Sequence, residues 1–314
     1  STAPAYTDTT ADTSVSNYYQ VAATNERGES GVSNTVKSTA FLPPVTLPEG
    51  DVQRFDFGAG ALADGYTRVT STTAYEAAIN YGFTDISKVS MEDRGTADAI
   101  RSDFVVPQGT TFNVDLPNGD YTVSLIAGDI ADAMEIAIKA ETIQKVQLTS
   151  KAAGQFLEMN FDIALVDGQL NLSFTGTAPK INALIITKQK ARLAGELPTV
   201  YIAGDSTVQT YDSYWKPEAG WGQMLPSFFI NDVVFKNHAI GGRSSKSFIV
   251  EGRLDEILRG IKPGDYFLVQ FGHNDATISV PDRYASPADF KNYLKTYVNG
   301  TRQRGATPIL VTPM

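Results

Sequence analysis

The sequence predicts a β-sandwich followed by a three-layer α/β domain, and three observations carry that prediction. Apolar residues alternate with a period of two from about Val52 to Lys188, the pattern of half-buried strands. From Thr199 onward the rhythm changes to near-continuous apolar runs separated by helical patterns, as in a parallel sheet covered on both faces. At 314 residues the chain is also longer than one ordinary domain, so two or three modules are expected.

Composition bounds the function before any motif does. Apolar residues make up 42% and charged residues 19%, the mixture of a globular protein with ample core. No apolar run approaches the length of a membrane-spanning helix. A net charge of −9 argues against nucleic acid or an anionic membrane as partner, because phosphate binding needs basic clusters. The acidity is uneven: basic and acidic residues balance between Tyr201 and Lys262, so that stretch could approach an anionic substrate. With no cysteine, thiol catalysis and disulfide staples are excluded, while the compartment is left open. No signal peptide is visible at Ser1, and the chain reads as beginning mid-domain.

Taken in order, residues 1–40 are polar and hold one hairpin. Tyr19, Val21 and Ala23 alternate as one strand face, and "NERGES" supplies the turn. The pattern Y-x-V-x-A-x-N-x-x-G-x-S-x-x-S, Tyr19 to Ser33, resembles the last strands of a fibronectin type III module, which would make this a partial module; an arbitrary hairpin is the alternative. A stiff Pro-containing stretch, "STAFLPPVTLPEG", follows, with the linker set at 41–51. Residues 52–190 read as the sandwich. Phe112, Val114 and Leu116 alternate, Pro117-Asn118-Gly119 turns the chain, and Tyr121, Val123 and Leu125 alternate back as in a hairpin. Met134/Ile136/Ile138 and Leu170/Leu172/Phe174 repeat the period. "RFDFGAG…GYTRV" and "NYGF" resemble galactose-binding-like jelly-roll modules of polysaccharide-degrading enzymes, so the sandwich is either a sugar binder or a spacer. After a polar connector at 189–198, apolar strands are expected at 199–204, 232–240, 265–272 and 307–313. Leu254, Ile257, Leu258 and Ile261 fall on one helix face between the second and third.

In an open α/β sheet, sites form outside the carboxyl ends of the strands. The first strand ends in Gly204-Asp205-Ser206, the second in Gly241-Gly242-Arg243-Ser244, and the third in Gly272-His273-Asn274-Asp275. These ends deliver a hydroxyl, a backbone N–H without a side chain in the way, and a carboxamide. An acyl-transfer site needs those parts: a nucleophile and donors for the oxyanion of a tetrahedral intermediate. Singly each signal is weak, since Asp205 and Asn274 could equally cap helices; three on consecutive strands are not.

"GDSTVQ", "NHAIGGRSSKSF" and "VQFGHND" resemble the first three blocks of the SGNH (GDSL) hydrolase family. "GDST" with "GWGQML" and "GGRSS" points to its rhamnogalacturonan acetylesterase-like branch, over residues 199–314. The resemblance implies a flavodoxin-like α/β hydrolase domain with Ser206 as nucleophile and, through its N–H, an oxyanion donor. It makes Gly242 and Asn274 the other two donors. The family's fourth block, D-x-x-H, supplies acid and base and is not found before Met314. The domain is therefore expected to be truncated at its C-terminus, with the catalytic Asp and His beyond residue 314 in a missing C-terminal segment of the same protein. A substitute base would have to be His238 or His273, read respectively as a hydrogen-bonded supporting residue and a loop residue near the rim, the latter also a candidate to bind substrate.

Around the serine, Tyr211, Trp215 and Trp221 are candidates to wall a sugar subsite, with helix packing the favoured reading for Trp221. Lys216, Arg243 and Lys246 are candidates to face a uronate, with an ion pair to Glu251 or Asp255 the alternative for Arg243. The expected activity is a secreted or cell-surface carbohydrate esterase of bacterial type, removing O-acetyl groups from an acetylated plant cell-wall polysaccharide, most of all pectic rhamnogalacturonan. Acetyl xylan or a lipid ester is the rival substrate; a non-catalytic carbohydrate-binding protein with a degenerate hydrolase fold is the rival class. No cofactor is required, and the sandwich leaves room for a structural calcium.

Overall fold

The computed structural model describes residues 52–230 and 232–313, together with four two-residue strands nearer the N-terminus. The chain divides into two compact units, Ser1–Pro48 and Glu49–Met314. In the first, β1 (Tyr18–Tyr19) pairs antiparallel with β4 (Val36–Lys37), and β2 (Thr24–Asn25) with β3 (Gly28–Glu29). The register pairs Asn25 with Gly28, both within the "NERGES" stretch. Val21, Ala23 and the linker 41–51 lie outside the described residues.

The second unit opens with the sandwich. Its strands are β5 (Val52–Phe57), β6 (Thr67–Val69), β7 (Tyr81–Phe83), β8 (Val89–Asp93), β9 (Asp103–Pro107) and β10 (Thr111–Asp115). β11 (Gly119–Gly128), β12 (Met134–Ala140), β13 (Ile143–Lys151), β14 (Phe156–Leu165), β15 (Gln169–Thr175) and β16 (Ala183–Lys188) complete it. Among the described residues these form two five-stranded sheets, ordered β13-β12-β15-β10-β7 and β14-β11-β16-β5-β6, with β8 and β9 paired apart. All pairs but β5–β6 are antiparallel. The alternating residues meet between the sheets: Phe112 lies 5.1 to 5.4 Å, centroid to centroid, from Phe55, Phe57 and Phe83. Edge-to-face geometry of that kind adds to the area each ring buries.

One expectation changes here. Pro117-Asn118-Gly119 does not close a hairpin, because β10 belongs to one sheet and β11 to the other. Phe112 and Val114 on one side, and Tyr121, Val123 and Leu125 on the other, are all buried. Both strands must therefore aim those faces at one core, which a sheet-to-sheet crossing allows and a same-sheet pairing is not needed for.

The parallel layer follows. β17 (Thr199–Gly204), β18 (Val234–Asn237), β19 (Tyr266–Gln270) and β20 (Thr307–Leu310) form one sheet ordered β18-β17-β19-β20, all pairs parallel. β17 is buried at every position, as its unbroken apolar run requires. Between strands run α1 (Trp221–Met224), α2 (Ser245–Val250), α3 (Arg253–Gly260) and α4 (Pro287–Gln303). The helical stretch between the second and third strands is two helices: Gly252 adopts φ +78°, a left-handed conformation open to glycine, and separates α2 from α3. Leu254, Ile257, Leu258 and Ile261 are buried on the predicted face. At about 1.5–3 kcal/mol per buried aliphatic side chain, that stripe is what holds α3. α4 begins at the cap Ser286, whose hydroxyl accepts from the Asp289 N–H, with Pro287 in its first turn.

Sandwich and parallel layer share a core. Ala164 and Val166 at the end of β14 pack into the cluster of Tyr201, Phe248, Leu258 and Phe267. A polar seam surrounds that contact. Asp255 accepts from Lys145 Nζ at 2.8 Å, from the Ala164 N–H at 2.7 Å and from Arg259 at 3.0 Å. Asp120 pairs with Arg192 and Arg304.

Candidate active site

The site is built at the carboxyl ends of β17, β18 and β19. Beyond β17, buried Asp205 accepts from the Thr207 N–H at 2.9 Å and its hydroxyl at 2.8 Å, while the Asp205 carbonyl accepts from Val208 and Gln209. This side-chain-closed turn reverses the chain at once and leaves Ser206 exposed at its apex. The Ser206 carbonyl accepts from the Tyr211 hydroxyl at 2.8 Å. Neither its N–H nor its hydroxyl has a partner among the described residues.

Beyond β18 the chain keeps pace with β17: the His238 N–H donates to the Ile202 carbonyl and the Ile240 N–H to that of Gly204. This brings Gly241 against the serine, so close that a Cβ on Gly241 would stand 3.6 Å from that of Ser206. The Gly241 N–H donates to Gln209 Oε1. Gly242 follows at φ +79°, and its N–H has no partner among the described residues. From the third end, Asn274 donates one Nδ2 hydrogen to the Arg243 carbonyl at 2.9 Å and accepts at Oδ1 from Arg283 Nη1 at 3.1 Å. A carboxamide has two N–H groups, so one of them is uncommitted. Three unpaired N–H donors thus sit on loops adjoining one exposed hydroxyl.

The surrounding groups hold these loops. Buried Gln270, last in β19, accepts from the Trp221 indole and donates to the Thr207 hydroxyl, both at 2.8 Å. Asp275 accepts from the Ser245 N–H at 3.0 Å and its hydroxyl at 2.5 Å, which ties the third loop to the start of α2. Burial pushes the Asp275 carboxyl above its ordinary range, against the pull of those bonds. Burial, with Glu218 adding to it, likewise raises the Tyr211 phenol, so it remains a donor. Tyr211, Glu218, Ala219, Trp221 and Met224 surround an open pocket of about 440 Å³ with Ser206 and Thr207 on its wall.

Ser206, Gly242 and Asn274 are brought to one rim. His273, 42% exposed in its side chain, is there too, with Nδ1 3.5 Å from Asp205 Oδ2. His238 sits instead over Tyr201, rings stacked at 5.9 Å, and burial lowers its pKa so that it stays neutral. The sequence suggested a hydrogen-bonded supporting ring, but among the described residues the His238 ring makes no hydrogen bond and is held by its stack on Tyr201. Trp215 stands 54% exposed against Tyr214 and is not part of the pocket wall. Arg243 is paired with Glu251 and with the Gly241 carbonyl, and Lys246 donates to the Pro281 carbonyl at 2.8 Å. Arg283, Gln270 and Gln209 went unread in the sequence. They act through atoms 9 to 63 residues away, and a lone Arg or Gln carries no motif.

A structural calcium in the sandwich would need several oxygen ligands, and two buried acids lie there. Asp56 and Asp103 are buried side by side, each with one oxygen lacking a hydrogen-bond partner. No group of three or more His, Cys, Asp or Glu is arranged to hold a metal ion among the described residues. Desolvation, with Asp56 and Asp93 adding to it, raises Asp103 to about 6, so this buried carboxyl takes on its charge only as the pH climbs past that value.

A sandwich sharing its core with a parallel α/β layer, whose strand ends present an exposed serine beside unpaired N–H groups, defines a two-part ester hydrolase. Comparison with known proteins agrees. Residues 53–185 match the β-agarase/YXIM esterase-like, galactose-binding domain-like family, and residues 200–314 match the GDSL-like lipase/acylhydrolase family. The chain is 38% identical over 284 residues to the uncharacterized esterase YxiM of Bacillus subtilis, across 86% of this chain and 71% of that one. It is 51% identical over 116 residues to the probable rhamnogalacturonan acetylesterase YesY of the same organism, 37% of this chain and 53% of that one. The crystal structure of YxiM aligns over 84% of this chain and 75% of its own at 36% identity and a TM-score of 0.41. The chain belongs to the GDSL-like lipase/acylhydrolase family, and its class is that of a serine ester hydrolase.

Proposed function

We propose that the protein removes O-acetyl groups from a plant cell-wall polysaccharide, pectic rhamnogalacturonan foremost, outside the cell. One observation carries the proposal: an exposed Ser206 hydroxyl with no partner among the described residues, on loops that also carry the Ser206 and Gly242 N–H groups and one Asn274 amide hydrogen, likewise without partners among the described residues. Ser206 Oγ attacks the acetyl carbonyl carbon as its proton passes to a general base, the role of the family's D-x-x-H histidine. The carbonyl oxygen becomes an oxyanion that the three N–H groups stabilise in the transition state more than in the ground state. Collapse expels the sugar alkoxide, which takes the proton, and leaves an acetyl-serine; water then attacks that ester and releases acetate.

The substrate assignment is supported by the likeness to YesY, named a probable rhamnogalacturonan acetylesterase, and by a pocket beside the serine that mixes Tyr211 and Trp221 with Glu218. The test is acetate release by the full-length protein from acetylated rhamnogalacturonan, acetylated xylan and a long-chain acyl ester. Fastest release from the pectic polymer, abolished by Ser206→Ala, is expected. A preference for xylan or lipid moves the substrate without touching the site, and no release from any ester returns the chain to a carbohydrate-binding role.

A further inference from the structure

Arg283 touches both loops that carry the oxyanion donors, and it makes no ion pair among the described residues. Its Nη1 donates to Asn274 Oδ1 at 3.1 Å and lies 3.4 Å from the Gly242 carbonyl oxygen. The other cations of these loops are engaged elsewhere, Arg243 by Glu251 and Lys246 by the Pro281 carbonyl. The segment bearing Arg283 is braced at two carbonyls. The Arg283 and Tyr284 N–H groups donate to the Val280 carbonyl, at 3.0 and 2.9 Å, and the Ala285 N–H donates to that of Asp275 at 3.0 Å. Asp275 in turn is bonded to the start of α2.

We propose that Arg283 is a positioning residue that locks the Asn274 carboxamide into an oxyanion-binding geometry and ties it to the loop of Gly242, an inference that rests on the acyl-transfer reading above. A cation at Oδ1 forbids the flipped carboxamide, since that would set an NH₂ against a guanidinium. With the Arg243 carbonyl holding one Nδ2 hydrogen, the second has one direction left. Donation into Oδ1 also polarises the amide and strengthens its remaining N–H as a donor. The contact with the Gly242 carbonyl ties the same guanidinium to the second loop, where the peptide bearing the Gly242 N–H is held at its own carbonyl, that of Gly241, by Arg243 Nη1 at 3.0 Å. Donors set before the reaction need not reorganise as charge develops.

The test compares Arg283→Ala, Arg283→Lys, Asn274→Ala, the Asn274→Ala/Arg283→Ala double variant and Ser206→Ala in the full-length protein, with 4-nitrophenyl acetate as probe. Arg283→Ala should lower kcat by roughly 10–100-fold, less than loss of a donor itself, with KM within about threefold. Arg283→Lys should recover part of that loss, since a lysine keeps the charge but not the rigid fork. In the Asn274→Ala background the arginine substitution should cost less than about threefold, because the group it positions is gone. Equal costs in both backgrounds, or an effect on KM alone, overturn the proposal. Should Arg283→Ala fail to fold, Arg283→Gln, which keeps bulk and a donor, runs the same cycle. Activity surviving Ser206→Ala would instead overturn the nucleophile, an outcome distinguishable from a full-rate Arg283→Ala beside a dead serine variant.

Discussion

Asn274 shows how a single side chain becomes useful by having its other bonds assigned. With Oδ1 on Arg283 and one hydrogen on the Arg243 carbonyl, the amide cannot rotate. Asn274→Ala should therefore lower kcat by roughly 10²–10³ on a small acetyl ester with little change in KM, read by steady-state kinetics. A change confined to KM would make Asn274 a ground-state binder. Gly242→Ala is expected to be costly for a different reason. At φ +79° an L-side chain is strained by about 1–2 kcal/mol, and the new Cβ would stand 3.4 Å from Arg283 Nη1. Its signature is a lower thermal midpoint together with a lower kcat. His273 supplies the control on the base. Placed beside Asp205 with an exposed ring, it should give less than about a tenfold loss as His273→Gln. A loss matching that of Ser206→Ala would make His273 the proton acceptor.

At the scale of elements, α3 and β14 decide whether the sandwich and the parallel layer behave as one body. Asp255 on α3 is 4% exposed and meets Lys145 of β13 and the Ala164 N–H of β14. Asp255→Ala removes one partner of a buried pair and leaves Lys145 charged and uncompensated, a change worth about 3–5 kcal/mol. Differential scanning calorimetry should show the single transition of the parent drop and split, as the sandwich unfolds apart from the hydrolase layer. An undisturbed single peak would mean the apolar contact of Ala164 and Val166 suffices alone.

For the molecule as a whole, the buried acids set a pH dependence. Asp103 is raised from its ordinary value to about 6 and Glu141 to about 7, each chiefly by burial. Since the folded state holds these protons more tightly than the unfolded chain does, their stability contribution is complete at low pH. It is lost as pH climbs, between about 4 and 6 for Asp103 and between about 4.5 and 7 for Glu141. For Asp103 the loss reaches up to about 3 kcal/mol at neutral pH. Asp103→Asn removes the charge and keeps an acceptor for the Gly60 N–H, so urea midpoints measured from pH 4 to 7 should flatten in that variant. A parent curve that rises over the same interval would show that the pair is ionised without penalty.

By itself the sequence determined the order of the modules, the alternating faces of the sandwich, the four parallel strands and the three strand-end blocks. Each of these is a local pattern: a period of two, an unbroken apolar run, or a short string whose glycines and polar residues must be contiguous to work. Tertiary structure alone decided what joins such patterns. Phe112 and Tyr121 lie a few residues apart, yet only packing assigned their strands to opposite sheets, because inward-facing alternation is identical in a hairpin and a crossing. Gly252 divided the helical stretch before the third strand into two helices. Arg243 and Lys246 found Glu251 and the Pro281 carbonyl, and Arg283 found Asn274, through distances that no spacing encodes. Charged and polar side chains reach several ångströms and take whichever partner the fold brings near, so their roles follow from contacts made across the chain rather than along it.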